Sequence, residues 1–142
     1  MIINESHIGW AVNSIEDAIE KFTFLGYTVQ RNICIDHIRK VKLALLNDVE
    51  GHVIELVAPI AEDSPVSDLL QKVGPTPYHI CFTVNKSDWE IYKKTLKANG
   101  FVILHKPSPA PLFDGKKVVF LYSKDIGLVE LVLDDDSNGK EE

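Results

Sequence analysis

The segment HIGWAVN at residues 7–13 returns 72 residues later as HICFTVN at residues 79–85, with His, Ile, Val and Asn in the same places. A second match follows, because IELV at residues 54–57 corresponds to VELV at residues 129–132. A constant order of segments with a slightly drifting spacing is typical of two copies of one structural module. The chain is therefore predicted to contain two such modules, at residues 5–58 and 77–133.

Each copy has the pattern of a strand, a helix and three further strands. In the first copy, bulky apolar residues alternate with others along residues 7–12, the period of a strand with two different faces. Ser14 and Asp17 form a capping box that starts a helix, and Gly26 stands where a helix ends in a left-handed residue. Three strands are predicted to follow: Thr28–Cys34, Arg39–Leu46 and Val53–Val57.

The second copy is predicted to repeat this order. Its first strand is His79–Val84, Ser87 caps the helix Asp88–Ala98, and Gly100 ends that helix. Three strands complete the copy: Phe101–His105, Lys117–Tyr122 and Leu128–Leu133. The expected fold is α+β, with two tandem βαβββ modules forming a single domain over residues 1–142.

Two segments lie outside the modules. The linker Pro59–Pro77 contains a short predicted helix at Val66–Val73. The end of the chain, residues 134–142, has no apolar anchor after Leu133 and is predicted to be disordered.

Composition restricts the class of partner. A net charge of −6 and a pI near 5.3 argue against binding to nucleic acid or to a membrane surface. No apolar run is long enough to span a bilayer and no secretion signal is visible, so a cytoplasmic location is expected. Cys34 and Cys81 are far apart without a CxxC spacing, which favours small reduced side chains over a zinc knuckle or a redox pair.

The repeated polar residues are His7, Glu55, His79 and Glu130. By strand alternation, each points away from the bulky apolar residues beside it, and therefore away from the helix that covers its sheet. One explanation is four solvent-exposed residues on one-sided sheets. Their recurrence in both copies favours the other explanation, a set of ligands for one divalent metal ion, because a cation makes the burial of carboxylates favourable.

The order of these motifs resembles the vicinal oxygen chelate superfamily, which includes glyoxalase I, methylmalonyl-CoA epimerase, extradiol dioxygenases and bleomycin-resistance proteins. The resemblance covers residues 5–133, and four motifs support it: His7–Val12 with Leu25-Gly26, Ile54–Leu56, His79–Val84 and Gly127–Leu131. It implies a curled mixed sheet forming a cup around one metal ion, Co²⁺, Ni²⁺, Mn²⁺ or Zn²⁺. The implied ligands are His7, Glu55, His79 and Glu130, within one chain or across a homodimer.

Within that superfamily the chain looks most like methylmalonyl-CoA epimerase, on the segments Val57–Pro59, Asp63–Val66 and Phe120–Lys124. This branch implies an isomerase that moves a proton next to the carbonyl of a small acyl thioester, with Glu130 and Glu55 as the catalytic carboxylates. One alternative is glyoxalase I, a lyase acting on a thiohemiacetal. The other is a non-catalytic small-molecule-binding protein of the antibiotic-resistance type.

The chain departs from the epimerase pattern where a second base is expected. That neighbourhood, Ile35–Lys40, contains no Glu. Asp36 and His37 are the candidates to replace it, although an exposed loop position is the favoured explanation for both.

Side chains at the rim of the cup are weaker candidates. Basic residues there could meet the phosphates of a CoA substrate: Arg39, Lys106, Lys116 and Lys117. The proline-rich segment Pro107–Gly115 suits a stiff wall or lid over the cup. His37, His52 and His105 have no partner in the repeat and are expected in loops or at strand ends.

Overall fold

Two units, each with its own strands and a covering helix, are present in the computed structural model, which describes residues 3–135. The N-terminal unit contains residues 7–78, and the C-terminal unit contains residues 3–6 and 79–135. The strands are β1 (Ile3–Ala11), β2 (Thr28–Asp36), β3 (Val41–Asn47), β4 (Val53–Pro59), β5 (Thr76–Asn85), β6 (Val102–Ile103), β7 (Ser108–Pro109), β8 (Lys117–Ser123) and β9 (Gly127–Asp134). The α-helices are α1 (Ile15–Phe24), α2 (Ser67–Val73) and α3 (Trp89–Ala98). Two 3-10 turns cover Lys86–Asp88 and Pro111–Phe113.

The sheet of the N-terminal unit has the strand order β2-β3-β4-β1. β1 runs parallel to β4, whereas β2, β3 and β4 are antiparallel neighbours. Helix α1 covers one face, because its apolar stripe packs on every second side chain of the strands. The buried core on this face consists of Val12, Ile15, Ala44, Leu46, Ile54, Leu56 and Ala58.

The C-terminal unit repeats this arrangement with the strand order β5-β9-β8-β6, and β7 also pairs with β8. β5 runs parallel to β9, and β8 is antiparallel to it. Helix α3 covers one face over a buried core of Val84, Trp89, Leu96, Val119, Leu121, Val129, Leu131 and Leu133. The prediction of an α+β fold with two βαβββ modules is confirmed, with the two-residue β7 as an addition. That the modules form a single domain stays a prediction.

Helix α1 begins and ends as its sequence signals predict. The hydroxyl of Ser14 accepts a hydrogen bond from the Asp17 N–H at 3.2 Å. Gly26 follows the helix at φ +93°, and its N–H donates to the Thr23 carbonyl at 3.1 Å. Glycine takes this left-handed conformation without steric cost, so it ends the helix at the expected place.

The predicted cap of the second long helix is wrong. Ser87 lies inside the 3-10 turn Lys86–Asp88, and α3 begins only at Trp89, with Asp88 in the cap position. The Asp88 side chain makes no capping hydrogen bond. The indole of Trp89, the first residue of α3, is buried in the core of the unit.

Two strands are shorter than predicted. The strand expected from Arg39 begins at Val41, because the chain turns before it and Lys40 takes a left-handed conformation with φ 59°. β6 keeps only two of its five predicted residues. The Leu104 N–H still donates to the Phe120 carbonyl at 2.9 Å, but the Phe120 N–H donates to the imidazole of His105 at 3.1 Å instead of to a backbone carbonyl.

The linker helix is close to expectation, and the predicted disorder at the end of the chain stays a prediction for most of its residues. Helix α2 begins at Ser67, one residue later than predicted. Of the tail that was predicted to be disordered, Asp134 is the last residue of β9, and residues 136–142 lie outside the described part of the chain. None of the helices within residues 3–135 is long and apolar enough to cross a membrane.

We predict that Ser14→Ala lowers the free energy of unfolding by about 1 kcal/mol, because the first turn of α1 loses its side-chain acceptor. Thr95→Ala is the matched control. Thr95 is exposed in the interior of α3, where it occupies no cap, so this variant should cost clearly less. Urea denaturation followed by circular dichroism measures both values, and equal losses would contradict the capping role of Ser14.

Candidate metal centre

His7 and Glu55 lie on the same face of the N-terminal sheet, turned away from α1. Trp10 of β1 and Leu56 of β4 pack into the core beneath α1. Because side chains alternate along a strand, His7 and Glu55 must point to the other face. We call this face, and its counterpart in the C-terminal unit, the His/Glu face.

The two side chains are in contact and almost fully buried. His7 Nε2 lies 3.3 Å from Glu55 Oε1, and the two residues are 1% and 4% exposed. Glu55 is the register partner of Gly9 in the parallel pairing of β1 with β4. His7 therefore lies on β1 two residues before Gly9, the partner of Glu55, and points to the same face as Glu55.

The C-terminal unit contains the same pair in the same register. His79 Nε2 lies 3.1 Å from Glu130 Oε1, and both residues are 4% exposed. Glu130 is the register partner of Cys81, so the histidine again stands two residues before it. The ring of Phe120, opposite Glu130 in β8, packs edge-on against His79 with 5.5 Å between centroids. The structure thus places all four predicted residues as two buried His–Glu pairs.

The donor atoms of these pairs suit a divalent metal ion. Each of the four residues offers one ligand atom, an imidazole nitrogen or a carboxylate oxygen. Such a set matches the preferences of Zn²⁺, Co²⁺, Ni²⁺ and Mn²⁺. A carboxylate buried in an apolar strand is costly to desolvate, and a cation beside it offsets that cost. The burial and the chemistry of the side chains therefore both fit a metal centre.

The structure places the two candidates for a second base in different surroundings. His37 lies in an exposed turn, as expected, whereas the expectation of an exposed position is wrong for Asp36, which is 1% exposed. The Asp36 carboxylate accepts hydrogen bonds from the N–H groups of Ile38 and Arg39, and Arg39 Nη1 lies 2.6 Å from its second oxygen. These contacts hold the carboxylate in the turn that joins β2 to β3.

Asp36 is also far from Glu55. Asp36 is opposite Val41 of β3, and Glu55 is opposite Leu45 of the same strand. Four residues along a strand and two strand spacings across the sheet correspond to about 13 Å and about 10 Å. The backbones of Asp36 and Glu55 are therefore well separated on the sheet.

Sequence reasoning missed Arg31 and Cys34 on the His/Glu face of the N-terminal unit. Both are paired with residues of β3 that point to this face. Burial raises the pKa of the Cys34 thiol, Asp36 and Glu55 raise it further, and the Arg31 guanidinium opposes them. Register shifts on both sides of Arg31 interrupt the alternation of side chains along β2. The alternating pattern of the sequence therefore could not show which face Arg31 occupies.

The predicted rim residues are divided between ion pairs and solvent. Lys116 Nζ lies 3.0 Å from Asp134, and Arg39 is engaged in the turn described above. Lys106 and Lys117 are exposed. None of these positions points to a bound phosphate by itself.

The proline-rich loop forms a wall of the C-terminal unit. Ala110 and Leu112 are buried, and Ala110 packs with Cys81, Val118 and Val132 on the His/Glu face. The loop is therefore packed at Ala110, as a wall would be, and its action as a lid stays a prediction.

Comparison with known proteins identifies the family. A sequence model of the Glyoxalase/Bleomycin resistance protein/Dioxygenase superfamily matches residues 6–120. The chain therefore belongs to this superfamily, which confirms the resemblance inferred from the repeated motifs. No curated protein sequence matches the chain.

Solved structures extend the similarity over nearly the whole chain. A hypothetical protein from Bacillus halodurans C-125 is 28% identical with a TM-score of 0.80, covering 96% of this chain and 97% of that chain. Methylmalonyl-CoA epimerase from Mycobacterium tuberculosis has the same fold, at 24% identity, a TM-score of 0.81 and coverage of 96% and 91%. A variant of the Streptomyces coelicolor methylmalonyl-CoA epimerase, in complex with 2-nitronate-propionyl-CoA, is 26% identical with a TM-score of 0.75 and coverage of 94% and 98%. The predicted glyoxalase-like fold is confirmed.

We predict that Asp36→Asn destabilises the protein by about 1–3 kcal/mol, because a buried cluster of donors loses its charged acceptor. Denaturant titration of this variant, with the surface variant Glu62→Gln as a control of near-zero effect, measures the loss. Unchanged stability combined with a loss of activity would instead indicate that Asp36 is a catalytic base.

Proposed function

We propose that His7, Glu55, His79 and Glu130 together bind one divalent metal ion, and that the protein moves a proton next to the carbonyl of a small acyl thioester. The observation that carries the proposal is the buried His–Glu pair, which occurs in both units with the same strand register. Two such pairs supply four ligands from two copies of one module. Membership in the superfamily supports the use of the repeated positions in this way.

The reaction needs groups that remove and return a proton on the carbon next to the carbonyl. When bound, the metal ion would polarise the substrate carbonyl and make that proton more acidic. Glu130 is proposed to take up the proton, because its carboxylate is buried beside His79 and can accept and release it. Burial on the His/Glu face excludes bulk water from both groups.

Glu55 is proposed as the second proton carrier. Asp36 is held by Arg39 and by backbone N–H groups, and His37 lies in an exposed turn. Glu55 is then the buried carboxylate of the N-terminal unit that occupies the equivalent position to Glu130. This assignment gives an epimerase its two bases without the glutamate that the family pattern carries elsewhere.

Methylmalonyl-CoA epimerases with bound CoA thioesters support the choice of substrate. One is the Streptomyces coelicolor variant with 2-nitronate-propionyl-CoA, and another is an epimerase in complex with methylmalonyl-CoA and NH₄⁺, also 26% identical to this chain. We therefore propose a methylmalonyl-CoA epimerase-like isomerase. Glyoxalase I activity and non-catalytic binding remain the competing outcomes of the tests below, and a cytoplasmic homodimer stays a prediction.

We predict that the purified protein binds close to one divalent metal ion per chain and melts at a higher temperature when loaded, since the ion binds only the native state. Elemental analysis and thermal melts with Co²⁺, Ni²⁺, Mn²⁺ and Zn²⁺ measure both effects. Glu130→Gln and Glu55→Gln should each weaken metal binding by about tenfold or more. Loss of a residue that only hydrogen-bonds to a metal ligand already weakens binding by about tenfold, and loss of the ligand itself should cost at least as much.

Glu16→Gln is the matched control for these two variants. Glu16 is an exposed glutamate of α1 that pairs with Lys42 on the opposite face of the sheet, so its substitution should leave metal binding unchanged. Folded protein that takes up none of the four ions would overturn the metal site.

We further predict that methylmalonyl-CoA gains deuterium at its 2-position when it is incubated with the metal-loaded protein in deuterated water. Glu130→Ala should abolish this exchange, because the group that accepts the proton is lost. Nuclear magnetic resonance or mass spectrometry detects the incorporated deuterium, and a chiral assay measures inversion in parallel.

Three results would redirect the assignment. Exchange without inversion would favour a related isomerase or lyase that acts on another acyl compound. No exchange, together with turnover of the hemithioacetal of methylglyoxal, would identify glyoxalase I chemistry. Inactivity on both substrates despite bound metal would favour a binding protein and contradict the proposed reaction.

A further inference from the structure

Strand β8 changes its outer partner at Phe120. Its pairing with β7 ends at Val118, and its pairing with β6 begins at Leu121. Phe120 lies between these two pairings and finds its partners in the segment that follows β6. Its carbonyl oxygen accepts the N–H of Leu104 at 2.9 Å, and its own N–H donates to Nε2 of His105 at 3.1 Å. The imidazole therefore supplies the acceptor that a strand backbone would otherwise provide.

The hydrogen bonds of His105 fix the form of its imidazole. Because a backbone N–H can only donate, Nε2 must accept from Phe120 through its lone pair and carries no proton. Nδ1 lies 2.7 Å from the carbonyl oxygen of Lys106, which can only accept, so Nδ1 carries the proton. His105 is thus a neutral imidazole whose two nitrogens are both bonded to the backbone, although the residue is exposed.

The ring of Phe120 contacts two imidazole rings. Phe120 is opposite Glu130 in the antiparallel pairing of β8 with β9, so its ring lies on the His/Glu face of the C-terminal unit. It packs edge-on against His79, with 5.5 Å between centroids and 87° between planes. It also packs against His105 at 5.9 Å and 52°. His105 therefore contacts Phe120 through both its backbone and its ring, and Phe120 in turn contacts His79.

The orientation of the His79 ring decides where its donor atom points. Nε2 of His79 lies 3.1 Å from Oε1 of Glu130. An edge-on contact is a favourable arrangement of two aromatic rings, so turning His79 against Phe120 costs free energy. Groups that fix the orientation of a metal ligand also contribute to metal affinity.

We propose that His105 is a positioning residue: it holds Phe120 so that the Phe120 ring keeps the imidazole of His79 directed at Glu130. The inference rests on the proposed function, because it treats His79 as a metal ligand and Glu130 as the group that takes up the proton. The neutral form with its proton on Nδ1 performs this role, since it offers a lone pair at Nε2 to the Phe120 N–H.

Substitutions of His105 test this role through the affinity for Co²⁺, measured by calorimetry. His105→Leu removes the acceptor and should weaken binding by about twofold to tenfold, the range that one aromatic contact contributes. His105→Gln places an acceptor oxygen near the position of Nε2 and should keep most of the affinity. His37→Leu makes the same change in an exposed turn of the N-terminal unit and should leave the affinity unchanged.

A double-mutant cycle tests whether His105 acts through Phe120. Phe120→Leu keeps the backbone N–H and removes the ring that packs on His79. His105→Leu should therefore weaken Co²⁺ binding in the wild-type background and cause no further loss in the Phe120→Leu background. Losses that simply add would overturn the proposal, because they would show two independent effects.

Nuclear magnetic resonance of the metal-free protein tests the same geometry without the proposed ion. Long-range nitrogen–proton spectra should show the His105 proton on Nδ1. Overhauser contacts between the rings of Phe120 and His79 should be present in the wild type and in His105→Gln, and should weaken in His105→Leu. A proton on Nε2, or ring contacts unchanged in His105→Leu, would overturn the role of His105.

The outcomes distinguish this inference from the proposed function. Ring contacts that depend on His105, in a protein that binds none of the four ions, would overturn the metal site and leave the positioning role. Wild-type affinity in folded His105→Leu would overturn the positioning role and leave the metal site. If His105→Leu does not fold, His105→Asn replaces it with the same expected losses, because its side chain is too short to reach the Phe120 N–H.

Discussion

The burial of ionisable side chains in apolar strands is the constraint on which this structure depends. His7 with Glu55, and His79 with Glu130, lie almost completely out of solvent, within strands whose other buried residues are apolar. Taking a carboxylate out of water is unfavourable unless a cation or several donors lie beside it. The helices cover the opposite face of each sheet with apolar clusters, and the His/Glu face carries the buried ionisable pairs beside apolar residues of its own. The alternation of side chains along each strand therefore places the apolar residues under the helix and the His–Glu pairs on the other face.

The repeat made most of this arrangement predictable from the sequence. Two copies of a motif with histidine near the beginning and glutamate near the end predicted the modules, and strand alternation then predicted which face each residue occupies. The sequence signal for a helix start was reliable at Ser14, where one hydrogen bond from the Asp17 N–H forms the cap. Sequence signals failed at the beginning of α3, which starts at the buried Trp89, and at the end of β6, where the imidazole of His105 replaces a backbone acceptor. Neither effect has a local sequence signature.

The family pattern alone could not identify a second catalytic base in this chain. Asp36 is an acidic residue at a suitable place along the sequence, and its burial alone would make it a good candidate. Its oxygens are nevertheless engaged by Arg39 and by the backbone of the turn. A carboxylate that stabilises a turn through charged hydrogen bonds is poorly suited to accept a proton from a substrate. The equivalent positions of Glu55 and Glu130 in the two modules offer a simpler pair of proton carriers.

The irregular register of β2 has a consequence for the solution behaviour of the protein. β2 is a nine-residue strand at the end of the strand order, where its outer row of backbone groups could template another chain. Long, flat edges of this kind promote strand addition and aggregation, whereas bulges twist an edge away from a regular partner. The two shifts around Arg31 therefore make this edge a poorer template for another strand. Substitutions that restore regular pairing of β2 with β3 would make this edge more ordered and the protein more prone to aggregate.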